Sequence, residues 1–201
     1  PAIHRDLPVT AIGTRAFLNC DISTVTIPDS VTNIGRYAFQ SCHALTSVAV
    51  GRGVKNIDSY AFDDCTSLEG ISLPYGATTI ENNAFSGCSS LAYIVLPETI
   101  VSLDFNAFNG CTALENAVVP VTLTGFIPDE NLKTLVITGS GELYTRAFYQ
   151  CDSLQSVTIG DGVSVIGAEA FRDCTSLTNV TIGNGVQEIK SNAFNNCISL
   201  T

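Results

Sequence analysis

The chain has 201 residues, 45% of them apolar and 14% charged, and carries a net charge of −10. That is ample apolar mass for a core, and the sign of the charge repels a polyanion such as nucleic acid at long range. No run of Lys or Arg reverses it locally, and no stretch of about eighteen apolar residues is present, so neither nucleic-acid binding nor membrane insertion is expected of this segment.

The first recognisable unit ends in Ala16-Phe17 with Cys20 three residues later. The same pair returns at Phe39/Cys42, Phe62/Cys65, Phe85/Cys88, Phe108/Cys111, Phe148/Cys151, Phe171/Cys174 and Phe194/Cys197. Successive cysteines lie 22 or 23 residues apart, except for the 40 residues between Cys111 and Cys151. A period near 23 is the signature of a solenoid, in which each unit buries its apolar stripe only against its neighbours. Residues 1–201 are therefore read as a single solenoid. The chain begins at Pro1 without Met and ends where a further unit is due, so it is expected to be a fragment of a longer protein.

Within the unit starting at Leu45, apolar residues fall at Val48, Val50, Val54 and Ile57, then at Ala61, Phe62 and Cys65. Leu68, Ile71, Leu73, Ala77, Ile80, Ala84, Phe85 and Cys88 repeat the frame, as do Leu154 to Cys174. The alternation at Val48 and Val50 is strand period. Each strand is followed by Pro or Gly, as at Pro28, Gly51, Pro74, Pro97 and Gly160, which turns the chain. Ile57, Ala61 and Cys65 step by four, which places them on one helical face. The fold class read from this pattern is α/β: parallel strands on one side, short helical turns on the other. Ladders of Phe and Cys fill the space between.

One pair of units, over 114–153, is irregular. Leu114, Val119 and Leu123 begin normally, but no Ala-Phe-x-x-Cys follows, and the next strand opens at Leu132. Phe126 is expected to fill the hole left by the missing ladder residue, with Phe105 helping to cover it. The gap is either a tolerated surface irregularity or a kink that shapes a ligand site.

The stretch from Ile27-Pro28 through Val31, Ile34-Gly35 and Ala38-Phe39 to Cys42 resembles the BspA-like variant of the leucine-rich repeat. The asparagine ladder of other leucine-rich repeats is absent; Ser30, Gly53, Gly76, Thr99, Gly162 and Gly185 occupy its place. The resemblance implies a cell-surface or extracellular protein of bacterial or protist type, linked to adhesion.

No constellation for catalysis, cofactor or metal stands out. The eight cysteines recur in register, which makes them packing residues and free thiols, since ladder neighbours have parallel Cβ vectors that a disulfide cannot join. There is no C-x-x-C, and the two histidines, His4 and His43, stand alone. Asp63-Asp64 reads as a solvated pair, because sequence neighbours on a turn point apart.

What remains is surface. Tyr93, Val95, Val118 and Val136 fall on outward strand positions of consecutive units, with Asn116 beside them and Glu69, Glu115 and Lys133 at the margin. An aromatic anchor on an apolar floor with a polar rim suits a protein or glycan partner. The expected function is a non-enzymatic binding module, monomeric, taking part in adhesion or host interaction. The alternative is a stiff spacer that carries another domain away from the cell surface.

Overall fold

The computed structural model describes residues 8–201. Eight parallel strands form one long sheet in chain order: Thr24–Thr26, Ser47–Ala49, Gly70–Ser72, Tyr93–Val95, Asn116–Pro120, Thr134–Thr138, Ser156–Ile159 and Asn179–Ile182. Neighbouring strands come from consecutive units, so the coils stack along the hydrogen-bonding direction. Their inward side chains, such as Val48, Ile71, Ile94 and Ala117, are buried.

Every coil but the irregular one holds a second, short strand that the sequence pattern does not reveal. Ala11–Ile12, Asn33–Ile34, Asn56–Ile57, Thr79–Ile80 and Ser102–Leu103 pair in parallel, and Gly141–Leu143, Val163–Ile166 and Glu188–Ile189 form a third sheet beyond the irregular coil. Most of these strands are only two residues long, too short to show the alternation by which strands are read.

The expected helical turns are absent, and the α/β class is corrected to a parallel β-solenoid. The only helix among the described residues is a 3-10 segment, Val121–Phe126, within the irregular coil. The reason lies in the backbone. Every turn segment but that of Phe108, where only Gly110 is left-handed, places two residues with positive φ four apart, as Tyr37 (59°) with Ser41 (56°), and Tyr60 (61°) with Asp64 (58°). A right-handed helix cannot run through such residues. The chain makes two successive tight turns instead, closed by Ala38 N–H to Gly35 (3.0 Å) and Cys42 N–H to Phe39 (3.2 Å).

The unfavourable left-handed residues are held by bonds between coils. Tyr37, Phe39 and Ser41 donate to the carbonyls of Ser59, Ala61 and Asp63 at 3.2, 2.7 and 2.8 Å. This turn ladder continues from coil to coil and makes a third hydrogen-bonded face. The step of four at Ile57, Ala61 and Cys65 still marks a common inward side, since all three are fully buried.

The interior holds two ladders. Phenylalanine rings stack from Phe17 through Phe39, Phe62 and Phe85 to Phe108 with centroids 5.0–5.3 Å apart, and again from Phe148 through Phe171 to Phe194 at 5.2–5.5 Å. All eight cysteines are free. Most donate their thiol to the phenylalanine carbonyl of the preceding coil, as Cys65 to Phe39 (3.1 Å), Cys88 to Phe62 (3.2 Å) and Cys174 to Phe148 (3.1 Å). The thiol is thus a satisfied core donor, which explains its recurrence better than any redox role.

Candidate functional site

The strand face carries the residues singled out in the sequence. Register pairs Tyr93 with Asn116 and Val95 with Val118, then Val118 with Val136. Tyr93 is 48% exposed, while the three valines are half-buried, so an apolar floor runs across three strands with one aromatic ring standing at its margin. Beyond it the row returns to small polar residues, Ser72 on one side and Thr158 on the other.

Tyr93 does not stand free. Its ring lies over Gly70 of the neighbouring strand, where a Cβ would collide with Cε1 and Cζ. Gly70 is buried beneath it. The other coils have a side chain at this row, among them Thr24, Ser47 and Asn116, so Gly70 is the position that makes room for the ring. Packing a ring over a strand glycine restores the cover that the missing side chain would give.

The rim is partly self-neutralised. Lys133 Nζ bonds Glu115 Oε1 at 2.7 Å, with both side chains partly exposed. Glu69 is exposed and unpaired among the described residues. The margin therefore keeps one net negative charge.

A second feature was legible only as a gap. Where the turn ladder is interrupted, an open cleft of about 570 Å³ is lined by Phe105, Phe108, Gly110, Phe126, Asp129, Glu130 and Tyr144, among others. It lies on the turn face, not on the strand face. Phe126 is half-buried against the core, so it fills only part of the hole. Phe105 does not cover the core as expected; it is 75% exposed and forms a wall of the cleft.

The interruption also changes the partner of one thiol. Phe126 stands 25 residues before Cys151, the separation at which Phe17 accepts from Cys42. The Cys151 thiol instead donates to the Asp129 carboxylate at 3.2 Å. Burial pushes the Asp129 carboxyl above its ordinary value. The neighbouring Cys174 thiol, then burial and the Asp129 carboxylate, push the Cys151 thiol well up, so it stays protonated. No repeat signal in the sequence pointed to Asp129, because it stands in for a backbone atom.

Asp63 and Asp64 point to different neighbours. Asp63 accepts from Gln40 Nε2 at 2.8 Å, whereas Asp64 lies 3.9 Å from His43 Nε2. They form no acid–base pair. His4 lies outside the described residues. Among the described residues no group of three or more His, Cys, Asp or Glu has metal-ligand geometry, and no helix is long and apolar enough to cross a membrane.

Comparison with known proteins gives the same frame. The family model for the BspA type leucine rich repeat region matches in six copies, over residues 10–133 and 141–201. The crystal structure of the T. pallidum leucine-rich repeat protein TpLRR is similar over all of this chain and 76% of its own, at 26% identity and a TM-score of 0.50. A leucine-rich repeat protein from Bacteroides ovatus is 24% identical over 96% of this chain and 69% of its own (TM-score 0.39). A leucine rich cell surface protein from Faecalibacterium prausnitzii is 22% identical over 99% and 78% (TM-score 0.37). No curated protein matches the chain.

Proposed function

The chain belongs to the BspA-type leucine-rich repeat family, and from that premise we propose that it is a non-enzymatic module that binds a protein or glycan partner through its strand face. The family is an interaction scaffold, and solenoids present extended faces of this kind. The observation that carries the reading is the in-register strip of Tyr93, Val95, Val118 and Val136 on consecutive strands. The flanking rows are small and hydroxylated, so the strip is a local concentration of apolar surface and not a general property of the sheet. Tyr93 is the anchor: a rigid ring with a polar tip loses little entropy on binding. Asn116, Glu69, Glu115 and Lys133 form the rim and set specificity more than affinity.

Adhesion at a cell surface or in the extracellular space is the setting that fits. Reduced thiols in an oxidising compartment are unusual, but seven of the eight are buried here, out of reach of oxidants.

The test begins with partner capture on a glycan array and from extracellular matrix. Tyr93→Ala combined with Val118→Asp is expected to abolish that binding while the melting curve stays nearly unchanged, because the strip is at the surface. Binding that survives the double change places the contact elsewhere. A strand face that captures nothing in either format favours the spacer.

A further inference from the structure

We propose that the gap in the turn ladder is a second binding site, a slot for an extended peptide segment of a partner protein that carries an arginine. Three independent observations converge on it.

The first is a pair of backbone donors left over by the missing turn. In six coils the ladder phenylalanine donates its N–H to the alanine carbonyl of the next coil at 2.7–2.8 Å, from Phe17 to Ala38 through Phe171 to Ala193. The residue two further on donates to the carbonyl two beyond that alanine, as Gly87 to Asn109 at 2.8 Å. Phe108 and Gly110 hold the corresponding positions at the break, and among the described residues neither amide donates to anything. Both residues line the cleft. Backbone donors seek acceptors, and an extended chain presents carbonyls two residues apart along one edge. A peptide laid in the slot supplies the acceptors that the next coil withholds, the mode by which strands are added to open sheet edges.

The second is charge. The charged residues lining the cleft are Asp129 and Glu130, both acidic, and neither forms an ion pair among the described residues. Oδ2 of Asp129 is taken by the Cys151 thiol, which leaves Oδ1 for a ligand. Burial already holds the Asp129 carboxyl above its usual range, and an incoming cation relieves that.

The third is the aromatic wall. Phe105 is 75% and Tyr144 45% exposed, and Phe126 closes the floor. Tyr144 keeps its place because Gly125 has no side chain: a Cβ there would sit 2.8 Å from the phenol oxygen. A flat guanidinium stacks on such rings and bonds carboxylates with its edge, which a lysine ammonium cannot do at once. A neutral oligosaccharide would use the rings but leave both carboxylates without a countercharge.

The experiment is a titration of ¹⁵N-labelled protein with a blocked pentapeptide, Gly-Ala-Arg-Ala-Gly, against the same peptide with citrulline in place of arginine. Saturable shifts are expected at the Gly110 and Gly125 amides, with Gly70 and Asn116 on the strand face unmoved. The citrulline peptide should bind at least tenfold more weakly. Glu130→Gln and Phe105→Ser, both at exposed positions, should each weaken the arginine peptide at least threefold without changing the fold. Asp129→Asn, which keeps an acceptor for Cys151, should do the same. No saturable shift at millimolar peptide, equal binding of the citrulline peptide, or indifference to all three changes overturns the proposal. So does a neutral oligosaccharide that saturates the same amides where the peptide does not. Because the reporters for the two faces differ, failure of this slot leaves the strand-face reading standing, and the reverse.

Discussion

At the scale of the residue, the molecule rests on repeated identity. A ladder phenylalanine is a plug between two like rings: Phe85 is fully buried, with Phe62 and Phe108 each 5.3 Å away. Its truncation leaves a cavity open to both neighbours, which cannot collapse without moving two stacks. Phe85→Ala is expected to cost about 3–5 kcal/mol in urea unfolding. A loss below about 1 kcal/mol would mean that the stack is not what holds adjacent coils together. Asp129 shows the same logic from the other side. One coil lacks the carbonyl that a thiol needs, and a side-chain oxygen takes over at 3.2 Å.

At the scale of the element, the turn segment is the instructive part. Apolar residues four apart are shared by a helix and by two consecutive tight turns, so the spacing at Ile57, Ala61 and Cys65 identified the buried side and misidentified the element. The decision lies with bonds to the next coil, which hold left-handed residues such as Tyr60 and Asp64 in place. The strand element makes its own demand at Gly70, over which the Tyr93 ring lies. Gly70→Ala should push that ring off the sheet at little cost in stability, since the side chain can swing into solvent. Loss of the contact between the Tyr93 ring protons and the residue 70 α-proton in NMR, with an unfolding midpoint nearly that of the parent, is the expected result. A large drop in midpoint would show that the ring is locked by its surroundings.

At the scale of the whole molecule, the buried thiols couple stability to pH. Burial pushes Cys65 and Cys111 up to about 12 from the ordinary 9.0. Between those values the unfolded chain has lost these protons while the folded chain keeps them, so stability falls as pH rises through that window. Below about pH 8 both states are protonated and the thiols contribute no slope. Each thiol is expected to remove about 1.4 kcal/mol per pH unit above its unfolded value. Urea midpoints measured from pH 7 to 11 should be flat and then decline, and Cys65→Val should make the decline shallower by one proton. A midpoint that holds to pH 11 would contradict the burial of the ladder.

The repeat, its period, the buried set and the one broken coil follow from the order of the amino acids alone, because residues that must pack on copies of themselves recur in register. It also put Tyr93, Val95, Val118 and Val136 on adjacent strands, since a constant period turns sequence position into spatial register. The remaining features depend on contacts between coils. Two-residue strands such as Asn56–Ile57 exist by pairing with neighbouring coils and not by local preference. The turns replace helices because their amides have partners one coil away. The cleft, with the amides of Phe108 and Gly110 that lack acceptors among the described residues, arises from what the next coil fails to supply. Such features belong to pairs of coils, and a pattern read along one chain does not show a bond that depends on its neighbour.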